Sequence, residues 1–123
     1  MFNSKKAAAP APKNTLVDFE LETGEHVNLT LAFYLLLGLK SCRKDVYERY
    51  NKIQSKGAKE ECEAVFVLYA AYMCAYIQEH GCADGAMSEE DFMIGCGSDR
   101  IAVAEATRAL LDPKSKAASA TRS

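Results

Sequence analysis

Five cysteines and two histidines are the residues of this sequence that could carry thiol or metal chemistry. Nucleophilic catalysis would pair Cys82 or Cys96 with a histidine, and the densest group of possible metal ligands is His80, Cys82 and Asp84. A structural zinc site normally draws on paired ligands such as Cys-x-x-Cys, and the sequence has no such pair. Both histidines also stand at positions typical of the surface, His26 on the polar side of a predicted strand and His80 at a helix end. We therefore expect no catalytic residue, no metal and no cofactor.

The stretch Gly95-Cys96-Gly97 has the glycines of a phosphate-binding loop. A P-loop also needs a strand before it and a Lys-Ser/Thr pair after it, because these residues contact the phosphates and the magnesium ion. Here the stretch follows a predicted helix and precedes Ser98-Asp99. We interpret it as a bend between two helices.

The cysteines and the apolar stretches also bear on the compartment. An odd number of cysteines with no secretion signal ahead of them is typical of a protein in a reducing cytoplasm. Residues 64–77 form a run of fourteen residues without a charge, an amide, a glycine or a proline, whereas a helix that spans a bilayer needs roughly 20 apolar residues. We therefore expect a cytoplasmic protein without a membrane partner.

The charges divide the chain into two tails and a body. Residues 1–15 and 113–123 are rich in small residues and hold six of the 15 basic residues, so we expect both to be disordered. All 17 acidic residues lie in residues 16–112, which we predict to be a single helical domain with an N-terminal β-hairpin. With nine basic and 17 acidic residues, this body has a charge of −8. Such a charge argues against a nucleic-acid partner.

Charge is unevenly distributed within the body. Residues 40–59 contain seven basic and two acidic residues, and residues 60–112 contain eleven acidic residues and two arginines. Solvated helix faces that differ in charge would explain this division. The alternative explanation is head-to-tail self-association or a charged partner, contacted through Arg43, Lys44 and Arg49.

The first half of the body predicts a hairpin and two helices. Apolar and polar residues alternate on both sides of Thr23-Gly24, which indicates two half-buried strands joined by a turn. Thr30 can cap a short apolar helix over residues 31–39. An amphipathic helix over residues 41–55 should follow and end at Gly57.

Residues 60–80 predict a central helix with two apolar faces. One face has large residues and the other has small ones, which either receive the helix over 31–39 or contact another subunit. We expect the helically spaced tyrosines to be core residues whose hydroxyls reach the rim, although an exposed recognition stripe is the alternative. The large face comprises Cys62, Val65, Phe66, Tyr69, Tyr72, Met73, Tyr76 and Ile77, and the small face Ala64, Val67, Ala71, Cys74 and Ala75.

The second half ends with two further helices. Ser88 is a predicted N-cap, and Met87 should pack on Phe92 across the first turn. Ser98 or Asp99 should cap a last helix that ends before Pro113. The fold class we predict is α+β, mainly α, with the hairpin packed on a small bundle of about four to five helices.

Four stretches of the sequence, taken in order, form a recognisable pattern. In order and spacing they resemble the tail assembly chaperones of siphovirus-type phages and prophages of Gram-positive bacteria, over about residues 17 to 114. The stretches are Thr23-Gly24-Glu25-His26-Val27-Asn28-Leu29-Thr30-Leu31-Ala32-Phe33-Tyr34, Asp45-Val46-Tyr47-Glu48-Arg49-Tyr50-Asn51-Lys52, Tyr69-Ala70-Ala71-Tyr72-Met73-Cys74-Ala75 and Met87-Ser88-Glu89-Glu90-Asp91-Phe92.

The resemblance implies a non-enzymatic role in the cytoplasm of an infected bacterial host. Proteins of that family coat the tape measure protein during tail assembly and are absent from the mature virion. Many of them also have a longer product, made by ribosomal frameshifting, whose extra domain is thought to recruit the tail tube protein. Pro113-Lys114 stands where a slippage-prone sequence is expected.

A chaperone that wraps a helical client needs many weak apolar contacts and reversible self-association. A small-residue helix face and opposed charged regions could supply both. The alternative function is a small nucleic-acid-binding regulator that uses the basic helix over residues 41–59. The candidate partner-binding residues are Arg43, Lys44, Arg49, Ala71, Cys74, Ala75 and Phe92.

Overall fold

A two-stranded antiparallel hairpin and five helices make up the part of the chain that the computed structural model describes, residues 16–57 and 59–111. The predicted fold class is confirmed, whereas the predictions for residues 1–15 and 113–123 lie outside the described residues. The elements are β1 (Val17–Glu20), β2 (His26–Leu29), α1 (Phe33–Cys42), α2 (Lys44–Lys56), α3 (Glu61–His80), α4 (Glu89–Cys96) and α5 (Arg100–Leu111).

The hairpin buries one face and exposes the other, as strict alternation requires. Val17 pairs with Leu29 and Phe19 with Val27, and all four side chains are buried. The turn is closed by the amide of Leu21, which donates to the carbonyl of Glu25 at 2.8 Å. The buried face packs on the helices, which supplies the support that an isolated hairpin lacks.

Helix α3 is the centre of the domain. Strand β2 and all four other helices pack against it, so every side chain from Phe66 to Ala75 is buried. The helix begins with a capping box in which the side chains of Glu60 and Glu63 each accept from the other's backbone amide. It ends at Gly81, whose φ of 82° gives the left-handed conformation that favours glycine.

The start of α1 differs from the prediction. The helix begins at Phe33, after Ala32, and Thr30 does not cap it. Thr30 is instead buried, and its amide donates to the carbonyl of Ala71 in α3 at 3.2 Å. Packing of the chain after β2 against α3 therefore overrides the local capping preference.

The tyrosines of α3 hold the loop that follows this helix. The Tyr69 hydroxyl donates to the carbonyl of Met87 at 2.9 Å, and the Tyr72 hydroxyl accepts from the amide of Met87 at 2.8 Å. The Tyr76 hydroxyl donates to the carbonyl of Asp84 at 2.7 Å. Tyr69 and Tyr72 are buried, which confirms that they are core residues with hydroxyls at the rim. The prediction that Cys62 shares their buried face is wrong, because Cys62 lies exposed on the first turn of α3.

Candidate partner-binding surface

The three basic residues predicted to contact a partner each have an acidic partner in the same chain. The guanidinium of Arg43 makes two 3.0 Å hydrogen bonds to the carboxylate of Asp45. The ammonium of Lys44 lies 3.8 Å from Glu48. These interactions leave less positive charge at the start of α2 than the sequence alone indicates.

Arg49 connects three helices. Its guanidinium projects from α2, lies 3.0 Å from the carboxylate of Glu89 in α4, and stands 4.1 Å from the ring centre of Phe66 in α3. Both an ion pair and a cation–π contact therefore hold it in place. A contact of Arg49 with another molecule would compete with these interactions.

The Arg43–Asp45 pair also changes the protonation of its members. The hydrogen bonds from the guanidinium lower the pKa of the Asp45 carboxyl below its ordinary value, and the same bonds raise the pKa of Arg43. Both groups therefore stay charged over a wide range of pH.

The small-residue face of α3 is covered by the chain itself. Ala71 and Cys74 are completely buried, and Ala75 is 9% exposed. Burial raises the pKa of the Cys74 thiol to about 12, so this cysteine is neutral at neutral pH. In this structure the small-residue face therefore packs against other elements of the same chain and not against another subunit. A partner would reach Ala71 and Cys74 only if elements packed on α3 moved.

Phe92 lies in an aromatic cluster at the centre of the core. Its ring centre is 5.6 Å from those of Tyr69 and Tyr72 and 6.3 Å from that of Phe19. Ser88 caps α4 as predicted, and its hydroxyl accepts from the amide of Asp91 at 3.1 Å. Phe92 is completely buried and offers no surface to a partner in this structure.

Helix α1 presents an apolar face that the sequence reasoning missed. Phe33 and Leu37 are one turn apart and are 87% and 64% exposed, whereas Leu35 and Leu39 on the opposite side are buried. Tyr34 lies beside them and is 53% exposed. The signal in the sequence is the run 31–39, which is apolar all round and not along one stripe. We call Phe33, Tyr34 and Leu37 the α1 face.

The α1 face is large enough for a weak protein contact. The three partly exposed side chains present on the order of 400 Å², and patches of that size on monomers often have a function. The only charged residue of α1 is Lys40, one turn beyond Leu37. An apolar segment of a partner could therefore cover the α1 face without burying an unpaired charge.

The chemistry-bearing residues do not assemble into a cluster. Among residues 16–57 and 59–111, no group of three or more His, Cys, Asp and Glu side chains could hold a metal ion. His80 stacks on Tyr76 with 4.0 Å between ring centres, and its Nδ1 lies 3.1 Å from the carbonyl of Tyr76. Its position is explained by this local packing.

No helix in the described part of the chain is long and apolar enough to cross a membrane. Comparison of the sequence with family models and curated proteins, and of the chain with solved structures, finds no match.

Proposed function

We propose that the protein is a phage tail assembly chaperone that coats the tape measure protein during tail assembly and has no enzymatic activity. The observation that carries this proposal is the exposed α1 face on a domain whose core is complete without it. Phe33 and Leu37 contribute nothing to the core, yet large apolar side chains are costly to leave in water.

An exposed face of two or three apolar residues suits a reversible coat. A single such contact is weak because it buries far less than the roughly 1,200–2,000 Å² of a stable interface. Many copies arrayed along a long client would hold it collectively, and each copy could still leave when the tail tube forms. The resemblance of residues 17 to 114 to tail assembly chaperones points to the same role.

The remaining parts of the proposal follow the resemblance. The chain would act in the host bacterial cytoplasm, associate with further copies of itself, and be absent from the mature virion. A longer product made by frameshifting at Pro113-Lys114 would recruit the tail tube protein.

The alternative, a nucleic-acid-binding regulator, has less support. Three basic residues of the stretch 40–59 are paired with Asp45, Glu48 and Glu89, so fewer positive charges remain for phosphates. A mobility-shift assay at low salt should therefore show no complex with DNA or RNA.

Co-expression with the tape measure protein of the same phage genome tests the proposal. We expect the tape measure protein, which should aggregate alone, to remain soluble and to co-purify with this chain. Absence of any association at low salt would contradict the proposed function.

A further inference from the structure

A groove lies between three helices on the side of the domain formed by α3, α4 and α5. It encloses about 480 Å³, within the range of roughly 300–1,000 Å³ that is typical of ligand sites. Its floor is apolar and comes from Ala64 and Val65 of α3, Met93 of α4 and Val103 of α5, with Ala104 at the exposed edge. Several apolar side chains of a partner would fit into it.

The apolar surface continues beyond the groove. Met93 also borders a shallow depression formed with Glu89, Glu90 and Ile94 along α4. Ile94, the residue after Met93, is 66% exposed and adds further apolar surface beside the groove. Because Met93 lines both, the groove and the depression form one continuous surface, which an extended apolar segment of a partner, such as one face of a helix, could follow.

The edges of this surface are mainly acidic. Glu61 and Asp99 line the groove, and Glu89 and Glu90 line the depression. The lining of both contains one basic residue, Arg100, whose guanidinium pairs with Glu61. Four carboxylates against one guanidinium leave a charge of −3 on the lining, which Arg49 reduces to −2 through its contact with Glu89.

An anionic ligand is the first alternative, because α3 and α5 both begin at the groove and helix N-termini attract anions. At both N-termini, however, a carboxylate of the chain already accepts a hydrogen bond from a free backbone amide. The side chain of Glu60 accepts from the third amide of α3, and Oδ1 of Asp99 accepts from the amide of Ala102 in α5 at 3.0 Å. The acidic edges would repel an anion further.

A second copy of this chain is the other alternative. Its most basic helix, α2, has an apolar stripe formed by Val46, Tyr50 and Ile53, and this stripe is buried in its own core. Its exposed apolar helix, α1, carries the single charge of Lys40.

Helix α5 has exposed Ile101 and Leu111 beside Arg100 and Arg108. It lines the groove itself, however, and its Arg100 is already paired with Glu61. Among the other described helices, none combines an exposed apolar stripe with several basic residues.

We infer that the groove between α3, α4 and α5 binds one amphipathic helix of a partner protein, with an apolar stripe on the floor and Lys or Arg along its sides. This inference is independent of the proposed function, because it follows from the lining of the groove and does not involve the α1 face.

Two designed peptides test the inference directly. Both have about 18 residues and the same leucine stripe, and one has lysines where the other has glutamates. Fluorescence anisotropy at low salt should show the lysine peptide binding at least about tenfold more tightly than the glutamate peptide. Its affinity should also fall as salt is added. Equal affinities, or no binding of the lysine peptide, would overturn the inference.

Two substitutions locate the binding site. Ala104→Tyr fills the groove with a side chain from an exposed position, and Ser55→Tyr places the same side chain on the exposed surface of α2 as a control. Glu90→Lys reverses a charge beside the groove, and Glu79→Lys makes the same change at the far end of α3.

We expect Ala104→Tyr and Glu90→Lys each to weaken binding of the lysine peptide at least about fivefold and the two controls to leave it within twofold. Thermal denaturation verifies that each variant is folded. Equal effects of the variants and their controls on peptide binding would contradict the location of the binding site in the groove. Loss of self-association in Ala104→Tyr, measured by sedimentation and accompanied by unchanged peptide binding, would assign the groove to a second copy and would also overturn the inference.

Discussion

At the scale of single residues, the tyrosine hydroxyls of α3 stabilise the loop that leads into α4 through hydrogen bonds to its backbone. Tyr72→Phe removes the hydroxyl that accepts from the Met87 amide, so this part-buried amide loses its hydrogen bond. We expect the free energy of unfolding to fall by about 1–2 kcal/mol, measured by urea denaturation. Tyr76→Phe loses a hydrogen bond in a more exposed setting and should cost less. An equal or larger loss from Tyr76→Phe would contradict this account of the loop.

The buried thiols make the domain sensitive to alkali. Burial raises the pKa of Cys74 to about 12 and that of Cys96 to about 11, whereas both ionise near 9 in the unfolded chain. The unfolded state therefore releases protons first, and stability is lost as pH rises above 9. Each thiol should lower the free energy of unfolding by at most on the order of 1 kcal/mol per pH unit between pH 9 and its own pKa, and Cys74 should contribute more than Cys96. Urea denaturation from pH 8 to 11 measures the slope, which Cys74→Ala should reduce.

At the scale of elements, Arg49 of α2 contacts both α3 and α4, in addition to the apolar packing of α2 on α3. Arg49→Ala removes the cation–π contact with Phe66 and the ion pair with Glu89, so we expect a loss of about 1 kcal/mol of stability. Lys44→Ala, which breaks a pair between two well-exposed side chains, should cost less than about 0.5 kcal/mol. Thermal denaturation of the two variants compares them. Equal effects would mean that Arg49 is no more than a surface charge.

Ala71 lies where the chain after β2 packs against α3, because its carbonyl accepts from the amide of Thr30. Because Ala71 is completely buried, Ala71→Leu must displace its neighbours, and overpacking of this kind costs about 1–3 kcal/mol. The matched change at an exposed position, Ala104→Leu, should leave stability nearly unchanged. Chemical denaturation of both variants tests this. A fully stable Ala71→Leu variant that assembles less would instead assign this face to a subunit contact.

Local patterns were enough to predict most of the elements. Alternation around Thr23-Gly24 predicted the hairpin, and Ser88 and Gly81 marked helix ends where the structure has them. Interactions between elements were not predictable in the same way. Thr30 has a good capping side chain, yet it does not cap α1. Its backbone amide donates instead to the carbonyl of Ala71, 41 residues later in the chain.

The candidate site was predicted less well than the fold, for a physical reason. Sequence shows that Arg43, Lys44 and Arg49 are basic but not that Asp45, Glu48 and Glu89 neutralise them, since the Arg49 contact spans 40 residues. The buried Ala71, Cys74 and Phe92 are predictable as apolar but not as covered. The exposure of Phe33 and Leu37 was not predictable, because a helix that is apolar all round does not show which face packs against the core.

At the scale of the whole molecule, the α1 face and the groove are two apolar surfaces of different character within the described residues. The α1 face has one nearby charge, Lys40, whereas the groove between α3, α4 and α5 is bordered by acidic residues. The two surfaces belong to different helices, so substitutions in one can be made without altering the other. This separation allows the proposed client contact and the inferred helix site to be tested independently.

The affinity of this protein for the tape measure protein tests the central claim most directly. The measurement compares wild type with Phe33→Ser/Leu37→Ser and with a control, Leu16→Ser/Leu111→Ser, which removes two exposed leucines outside α1. Fluorescence anisotropy should show binding at least about tenfold weaker for the α1 variant, because two apolar side chains no longer leave water. The control should bind within about twofold of wild type, and both variants should keep the wild-type melting temperature. Equal affinities of all three proteins, or no binding by wild type, would contradict the claim that the α1 face holds the client.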